Sequence, residues 1–264
     1  MTTAELLELS DLNYAEALRD LARRAGGVVH DRDGLMLYTG AHTLPVLVNG
    51  AFRTDARLPP GAVLGRARDF FTRHGRGYTV HIRAHADGDL RVAAEDAGLV
   101  AMGDLPGMVL DHRLADASAP AGVTLRRVAT AADAAAFGEV MGAAYATYGM
   151  PPDVAPACLG RLEVLRAPHI VAFLALLDGR PAAGAMTVVT HGVAGIYWVG
   201  TIPDARGRGL AELCTRAAGN AGFDLGGRIA ALQASVMGEP IYRRMGYVEV
   251  TRYPFLVQLA PPAA

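Results

Sequence analysis

A short segment rich in glycine and arginine is the part of the sequence best suited to bind an anionic ligand. It reads TIPDARGRGLA over residues 201–211, with glycines at positions 207 and 209. Glycine lets the main chain approach a ligand with no Cβ in between, and the amides that open a following helix carry the positive end of its dipole. Such a turn would bind a diphosphate, and Arg206 and Arg208 would add charge-assisted bonds to phosphate oxygens.

Two other interpretations of this segment are open. A turn between a strand and a helix can contain glycine for structural reasons alone. A dinucleotide-binding turn follows the pattern G-x-G-x-x-G/A and needs a small third residue for close packing of helix on strand. That position holds Glu212, so the sequence disfavours a dinucleotide site.

The segment and a second motif after it resemble the GCN5-related N-acetyltransferases (GNAT). The acetyl-CoA loop of that family has the pattern R/Q-x-x-G-x-G/A, which Arg206, Gly209 and Ala211 match in order. The second motif is a strand ending in a polar residue, then a short helix with a tyrosine and a Gly-aromatic pair, here Ser235, Tyr242 and Gly246-Tyr247. The resemblance covers residues 124–260.

The resemblance implies a role for each matching residue. Acetyl-CoA, the co-substrate, is expected to bind along the fourth strand of the domain and the loop after it, at Val199, Thr201, Ile202, Arg206, Gly207, Arg208, Gly209, Leu210, Ala211 and Ser235. The pantetheine arm would bond main-chain groups of the strand as a neighbouring strand would. Tyr242 is the expected general acid, because a phenol with a pKa of about 10 can protonate the departing thiolate. No metal is implied.

The sequence assigns neither the general base nor the acceptor site. The expected fourth strand, GIYWVGTI, has no carboxylate, and the nearest titratable candidates are His191 and Glu239. For both, a structural or solvated role is the better interpretation. Four residues are candidates for the lining of an acceptor pocket, although such side chains are more often core: Tyr145, Tyr148, Met150 and Met186.

An internal repeat and a linker predict two domains in the 264 residues. Small and turn-forming residues fill 114–122, so we place a GNAT-like domain at 1–118 and the catalytic GNAT domain at 122–264. The segment from Gly98 to Val109 recurs 148 positions later, from Gly246 to Val257. The first copy is degenerate, since Ala94 stands at the position of Tyr242 and no acetyl-CoA loop precedes it. Three of its residues are candidates to face the cleft: Asn49, Tyr78 and His81.

The apolar patterns predict an α+β fold, with two tandem domains that each have a mixed, mostly antiparallel sheet flanked by helices. Helices are predicted at 14–25, 62–74, 90–97, 131–145, 210–221 and 239–245. Strands are predicted at 35–38, 44–49, 78–84, 169–176, 183–189, 195–202, 229–235 and, broken at Pro254, 247–259.

Composition excludes several classes of function. The net charge is -1, which makes nucleic-acid or anionic membrane partners improbable on electrostatic grounds. All 25 basic residues are arginines, which excludes chemistry that needs a lysine amine. The N-terminus has no signal-peptide pattern, the longest apolar run is far too short to span a membrane, and Cys158 and Cys214 have no paired spacing. We therefore expect a cytoplasmic protein, monomeric or homodimeric.

The sequence thus predicts an acyl-CoA-dependent N-acyltransferase that acts on a primary amine of a small molecule by direct attack. Two alternatives remain open. One is a non-catalytic acyl-CoA-binding module, and the other is a protein N-acetyltransferase.

Overall fold

The patterned segments form eight α-helices and eleven strands in the computed structural model, which describes residues 1–259. The helices are Thr3–Arg24 (α1), Pro60–Arg73 (α2), Gly88–Asp96 (α3), Ala131–Tyr145 (α4), Val154–Leu159 (α5), Leu162–Leu165 (α6), Leu210–Asp224 (α7) and Glu239–Arg244 (α8). The strands are Val29–Arg32 (β1), Leu35–Tyr38 (β2), Gly50–Arg53 (β3), Tyr78–His81 (β4), Val100–Leu110 (β5), Val123–Arg127 (β6), Ile170–Leu177 (β7), Arg180–Thr190 (β8), Val193–Thr201 (β9), Ile229–Gln233 (β10) and Val248–Gln258 (β11).

The strands join in one mixed sheet, in the order β1-β2-β3-β4-β11-β5-β10-β9-β8-β7-β6. The pairs β3–β4 and β9–β10 are parallel, and the other pairs in the described residues are antiparallel. Helices cover the sheet because its strands are largely apolar on both faces. The predicted α+β class with a mostly antiparallel mixed sheet is confirmed.

The two halves exchange strands at the centre of this sheet. Strand β5 from the first half pairs with β10 of the second, and β11 from the second half pairs with β4 of the first. Between β5 and β11, Val248 lies opposite Val109 and Val257 lies opposite Val100. The repeat offset of 148 converts one pair into the other, so a pseudo-twofold axis passes between these strands. The predicted division at 118–122 falls in the connection between the halves, and it does not divide the sheet.

Local signals position α4 and the strand pair after it as the sequence predicts. Thr130 caps α4 in a reciprocal capping box with Asp133. The β7–β8 turn places Asp178 at φ 50 and Gly179 at φ 79, the left-handed pair of a tight hairpin. The predicted bounds of α4 match the observed ones, and those of the strand pair differ by one to three residues.

The predicted strand at 44–49 is wrong, because this apolar segment forms turns. Leu47 has φ 65, and the Asn49 amide nitrogen donates to the carbonyls of His42 and Leu44. The loop is apolar because it packs on the second half of the chain, not because it pairs with a strand. Its residue Val48 belongs to a core cluster made mostly by α4, α5 and β7. The strand of this region is β3, which begins directly after it.

Helix α1 of the first half also packs on the second half of the sheet. The Asn13 amide nitrogen donates to the carbonyl oxygens of Val188 (3.0 Å) and Val193 (3.2 Å), at the β8–β9 turn. Helix α7 covers the opposite face of β8 and β9, where Gly222 fits closely against Ala194. The site described below therefore lies in a sheet with α1 and α4 on one face and α7 on the other. None of the helices within residues 1–259 has the length and apolarity that a membrane crossing requires.

Candidate functional site

A gap opens in the sheet between β9 and β10, the fourth and fifth strands of the second half. Their pairing runs from Val193–Ile229 to Gly195–Ala231 and then ends, although β9 continues to Thr201. The register of β9 against β8 shifts in the same stretch, where Trp198 has φ 49. A bulky residue with positive φ is rare and marks a bulge that bends the strand. The bulge thus turns the end of β9 away from β10.

The loop after β9 forms a nest of free amides. Gly207 and Gly209 both have φ 75, and a Cβ built on either would meet no atom within 4 Å. Among residues 1–259, no acceptor bonds the main-chain N–H groups from Gly207 to Glu212, and Gly209 caps α7 without a side-chain bond. Successive unpaired amides at the start of a 15-residue helix bind anions. The diphosphate predicted from the sequence fits this geometry.

The gap and the loop enclose a cleft of about 300 Å³. Nine of the eleven residues that the sequence places in the site line it: Val199, Thr201, Arg206, Gly207, Gly209, Leu210, Ala211, Ser235 and Tyr242. Ile202 and Arg208 do not. The Ile202 main chain donates to the Ala182 carbonyl and its side chain packs in the core, whereas Arg208 is exposed. Thr201 contributes a buried hydroxyl with no hydrogen-bond partner in the described chain.

The Arg206 guanidinium is bonded mainly to protein. Its Nη2 donates to Thr147 Oγ1 (2.6 Å) and to the Ala144 carbonyl (3.3 Å), and its Nε donates to the Thr201 carbonyl (3.3 Å). Within residues 1–259 its Nη1 has no partner. The predicted phosphate contact can therefore come from Nη1 alone, while the other donors attach the loop to the end of α4.

Tyr242 lines the cleft from α8. It is buried, and its ring packs 5.8 Å from that of Tyr247. Burial raises the pKa of the Tyr242 phenol well above its usual range, Tyr247 adds to the rise, and the Thr215 hydroxyl opposes it by less. The phenol consequently keeps its proton at neutral pH, as a general acid must.

Ser235 connects the two sides of the cleft. Its Oγ accepts a hydrogen bond from Tyr148 Oη (3.0 Å) and another from the Gly238 main chain (3.2 Å). Tyr148 stands on the 3-10 turn that follows α4, whereas Ser235 follows β10. The tyrosine therefore bridges the gap on the α4 face.

Neither of the two candidate bases lines the cleft. His191 is exposed in the β8–β9 turn, at the end of β9 that lies roughly 25 Å from Thr201 at the usual rise of a strand. Glu239 is paired with Arg243 through Arg243 Nε (2.9 Å). The carboxylate that does line the cleft is Glu212, and its Oε1 accepts a bond from Arg216 (2.9 Å).

Of the four candidates for the acceptor side, two line the cleft and two lie in the core. Tyr145 and Tyr148 line the cleft, with ring centroids 6.0 Å apart, and Tyr145 also packs 5.2 Å from Trp198. Met150 and Met186 are buried in the core and do not line it.

The candidates from the first half lie inside that half. Asn49 holds a loop, Tyr78 stacks on Phe71, and His81 is buried between the hydroxyls of Tyr14 (3.1 Å) and Tyr38 (2.8 Å). Burial lowers the pKa of His81 to about 3, so the imidazole is neutral. None of the three lines the cleft.

Sequence reasoning missed several lining residues. Arg244 and Met237 are examples, as are Gly200, Gly238 and Ile241. Arg244 stands two residues after Tyr242 on α8. The sequence signal that could have indicated it is a basic residue close to the expected general acid.

The equivalent place in the first half is filled by side chains. Helix α2 begins at Pro60 after Pro59, and proline has no N–H to offer an anion. Arg53, at the end of β3, is fully buried and bonds the carboxylates of Asp87 (2.8 Å) and Asp89. Because the Arg53 guanidinium is already paired with two carboxylates, it does not provide an anion-binding site at this place.

A family model described as an acetyltransferase (GNAT) domain matches residues 109–232. The matched range runs from the end of β5 through the glycine loop to β10, and it stops before Ser235 and Tyr242. Over these residues it confirms the resemblance found in the sequence: residues 109–232 are similar to a GNAT acetyltransferase domain. A domain of this family transfers an acyl group from acyl-CoA. No curated protein matches the chain.

Solved structures share the fold over most of the chain. A GCN5-related N-acetyltransferase from Kribbella flavida is 24% identical with a TM-score of 0.71, and the comparison covers 97% of this chain and 96% of that one. A GCN5-related N-acetyltransferase from Sphaerobacter thermophilus is 16% identical, with a TM-score of 0.58 and coverage of 88% and 82%. A tandem GNAT protein from the clavulanic acid biosynthesis pathway is 17% identical, with a TM-score of 0.56 and the same coverage. At these identities the likeness shows the fold.

Proposed function

We propose that this GNAT domain is an N-acetyltransferase that moves the acetyl group of acetyl-CoA to a primary amine of a small molecule. The diphosphate binds at the nest, with Gly207, Gly209 and the first amides of α7 as ligands. The pantetheine arm lies in the gap beside Val199 and Thr201, which do not pair with β10. One observation carries the proposal: a run of unpaired amides opens onto a gap between two parallel strands.

The chemistry that fits this cleft is a direct transfer. The neutral amine nitrogen bonds to the thioester carbonyl carbon, the carbon–sulfur bond breaks, and the sulfur takes the electron pair and the Tyr242 proton. The amine loses its extra proton to water, and the products are an amide and coenzyme A. Tyr242 recovers a proton from solvent through the cleft.

A covalent acyl-cysteine route fits the chain poorly. Cys214 is fully buried in α7, and burial raises the pKa of its thiol to about 12. Burial likewise raises the pKa of Cys158 to about 11. Neither thiol is available as a thiolate at neutral pH, so direct attack of the amine is the better proposal.

The small acceptor is proposed from the surroundings of the cleft. Tyr148 bridges to Ser235 across the gap, and α1 of the first half packs on β8 and β9 beside α4. These features narrow the approach to the thioester from the α4 face. A protein substrate would need an open groove there. We propose that the first half, whose own anion cradle is filled by Arg53, acts as this covering domain.

The proposal is tested by coenzyme A binding to Gly209→Val. A valine at φ 75 is strained, and its side chain would enter the space proposed for phosphate. We expect calorimetry to show that the variant binds coenzyme A at least about a hundredfold more weakly than the wild type. The strain displaces the amides, and the side chain blocks the access of the phosphate to them.

The control is Gly226→Val, beyond the other end of α7, where φ is 93 and the space is equally open. It imposes a similar backbone strain away from the cleft and should bind coenzyme A normally. Equal affinity of both variants and the wild type would contradict the proposed site. Tight binding without acetyl transfer to any amine in a broad panel would favour a non-catalytic acyl-CoA-binding module.

A further inference from the structure

The phosphate-binding loop is attached to the opposite wall of the cleft by side-chain hydrogen bonds. We call residues 144–148, the end of α4 and the 3-10 turn after it, the wall segment. Arg206 Nη2 donates to Thr147 Oγ1 (2.6 Å) and to the Ala144 carbonyl (3.3 Å). Thr147 is exposed, so its hydroxyl would bond water equally well if the loop were not there. The hydrogen bond between Arg206 and Thr147 therefore depends on the position of the loop.

The wall segment is held at its other end from the far side of the gap. Tyr148, the residue after Thr147, donates to Ser235 Oγ (3.0 Å), which follows β10. The Tyr148 ring also contacts that of Tyr145, which packs against Trp198 on β9. Displacement of the segment thus moves the aromatic side chains that line the acceptor side of the cleft.

The loop itself has few contacts of its own. Gly207, Arg208 and Gly209 are exposed, and their amides have no acceptor among residues 1–259. An anion bound by these amides would restrain the three exposed residues, which lie between the buried Ala205 and Leu210 and next to Arg206. Fixing the loop would fix the guanidinium, and through it the wall segment.

We propose that Thr147 is a positioning residue through which Arg206 couples coenzyme A binding to the acceptor-side wall. The inference rests on the proposed diphosphate site. By thermodynamic reciprocity, an acceptor that holds Tyr148 in place also favours coenzyme A, so donor and acceptor bind cooperatively. Thr147 has no predicted contact with either substrate and acts only through Arg206.

Trp198 provides the readout, since it is the only tryptophan in the chain. Acrylamide quenching of its fluorescence is measured with and without saturating coenzyme A, while calorimetry gives the affinity. The variants are Thr147→Val, which keeps the shape and removes the hydroxyl, and Thr147→Ser, which restores the hydroxyl. Thr124→Val, an exposed threonine on the edge strand β6, is the matched control.

In the wild type, coenzyme A is expected to protect Trp198 from quenching. Part of this protection comes directly from the pantetheine arm and is common to all variants. Thr147→Val should lose about half of the protection or more while the affinity changes by less than about fivefold, which is the scale of one hydrogen bond. Thr147→Ser and Thr124→Val should behave as the wild type.

Protection in Thr147→Val equal to that in the wild type would overturn the coupling. So would an equal loss in Thr147→Ser, because the effect would then not depend on the hydroxyl. If the wild type shows no heat with coenzyme A, the proposed function itself fails, and that outcome is distinct from both.

Discussion

At the scale of single residues, the position of Tyr242 matters more than its type. The chain has nine tyrosines, and burial raises the pKa of several others, including Tyr145 and Tyr247. Tyr247 does not line the cleft, and Tyr145 lines it from α4, whereas Tyr242 lines it from α8, which follows β10. A protonated phenol there can meet the sulfur of a thioester whose diphosphate lies in the nest.

Tyr242→Phe should lower kcat at least tenfold and change the affinity for coenzyme A by less than about threefold. This lower bound is set below the usual contribution of a general acid, about 10²–10⁴-fold, since water can partly replace the phenol. Steady-state kinetics with an amine found by an acetyl-CoA consumption screen, together with calorimetry, provide both numbers.

Tyr247→Phe is the matched control, since it removes a buried hydroxyl from the neighbouring ring and leaves the cleft intact. Its kcat should stay within about twofold of the wild type, because its hydroxyl takes no part in proton transfer. If kcat is unchanged in Tyr242→Phe, Tyr242 has no role in the mechanism.

At the scale of elements, two features of β9 determine the site. The bulge at Trp198 separates the strand from β10, and the turn after Thr201 presents the amides of α7 to the gap. The other end of β9 is fixed by α1, through the Asn13 amide and through Tyr197 Oη, which donates to Asn13 Oδ1 (2.7 Å). One strand therefore joins the first half of the chain to the glycine loop.

Asn13→Leu should lower the free energy of unfolding by about 2–3 kcal/mol, because it leaves buried carbonyls of β8 and β9 and the Tyr197 hydroxyl without partners. Urea denaturation followed by circular dichroism measures the change. Glu8→Ala, at an exposed position on the same helix, should stay within about 0.5 kcal/mol of the wild type. Equal stability of the two variants would show that the Asn13 contacts do not hold α1 on the sheet.

At the scale of the whole molecule, strand exchange makes each half depend on the other. Strand β11 is surrounded by β4 and β5 of the first half, and β5 lies between β11 and β10. The cores follow the same pattern, since Met108 and Leu110 from the first half lie in the cluster beneath α7. A half without its partner would expose a long apolar sheet edge.

Neither residues 1–118 nor residues 122–264 should unfold cooperatively when expressed alone, whereas their co-expression should restore one transition. The reason is that each half lacks a strand at the centre of its sheet. Thermal circular dichroism and size-exclusion chromatography test this. A cooperative transition of residues 122–264 alone, at the temperature of the full chain, would mean that β11 can serve its own half.

The sequence by itself predicted most elements of the second half, although not β6, α5 or α6, and it located the glycine loop. Three signals in the sequence are local, because each determines the backbone conformation of a few neighbouring residues. They are the cap at Thr130, the turn at Asp178-Gly179 and the glycines at 207 and 209. The resemblance added Tyr242 and Ser235, which line the same cleft. The repeat at an offset of 148 also indicated that β5 and β11 are equivalent.

Only the tertiary structure decided which elements those strands pair with and which side chains meet. The sequence repeat does not reveal the strand exchange. The same alternating residues of β5 and β11 are buried whether each strand pairs within its own half or with the other half. The segment at 44–49 is as apolar as a strand, but it packs on the second half as a loop. The contacts of Arg206 with Thr147 and of Tyr148 with Ser235 join residues 59 and 87 positions apart. Contacts at such separations follow from packing, which no local pattern encodes.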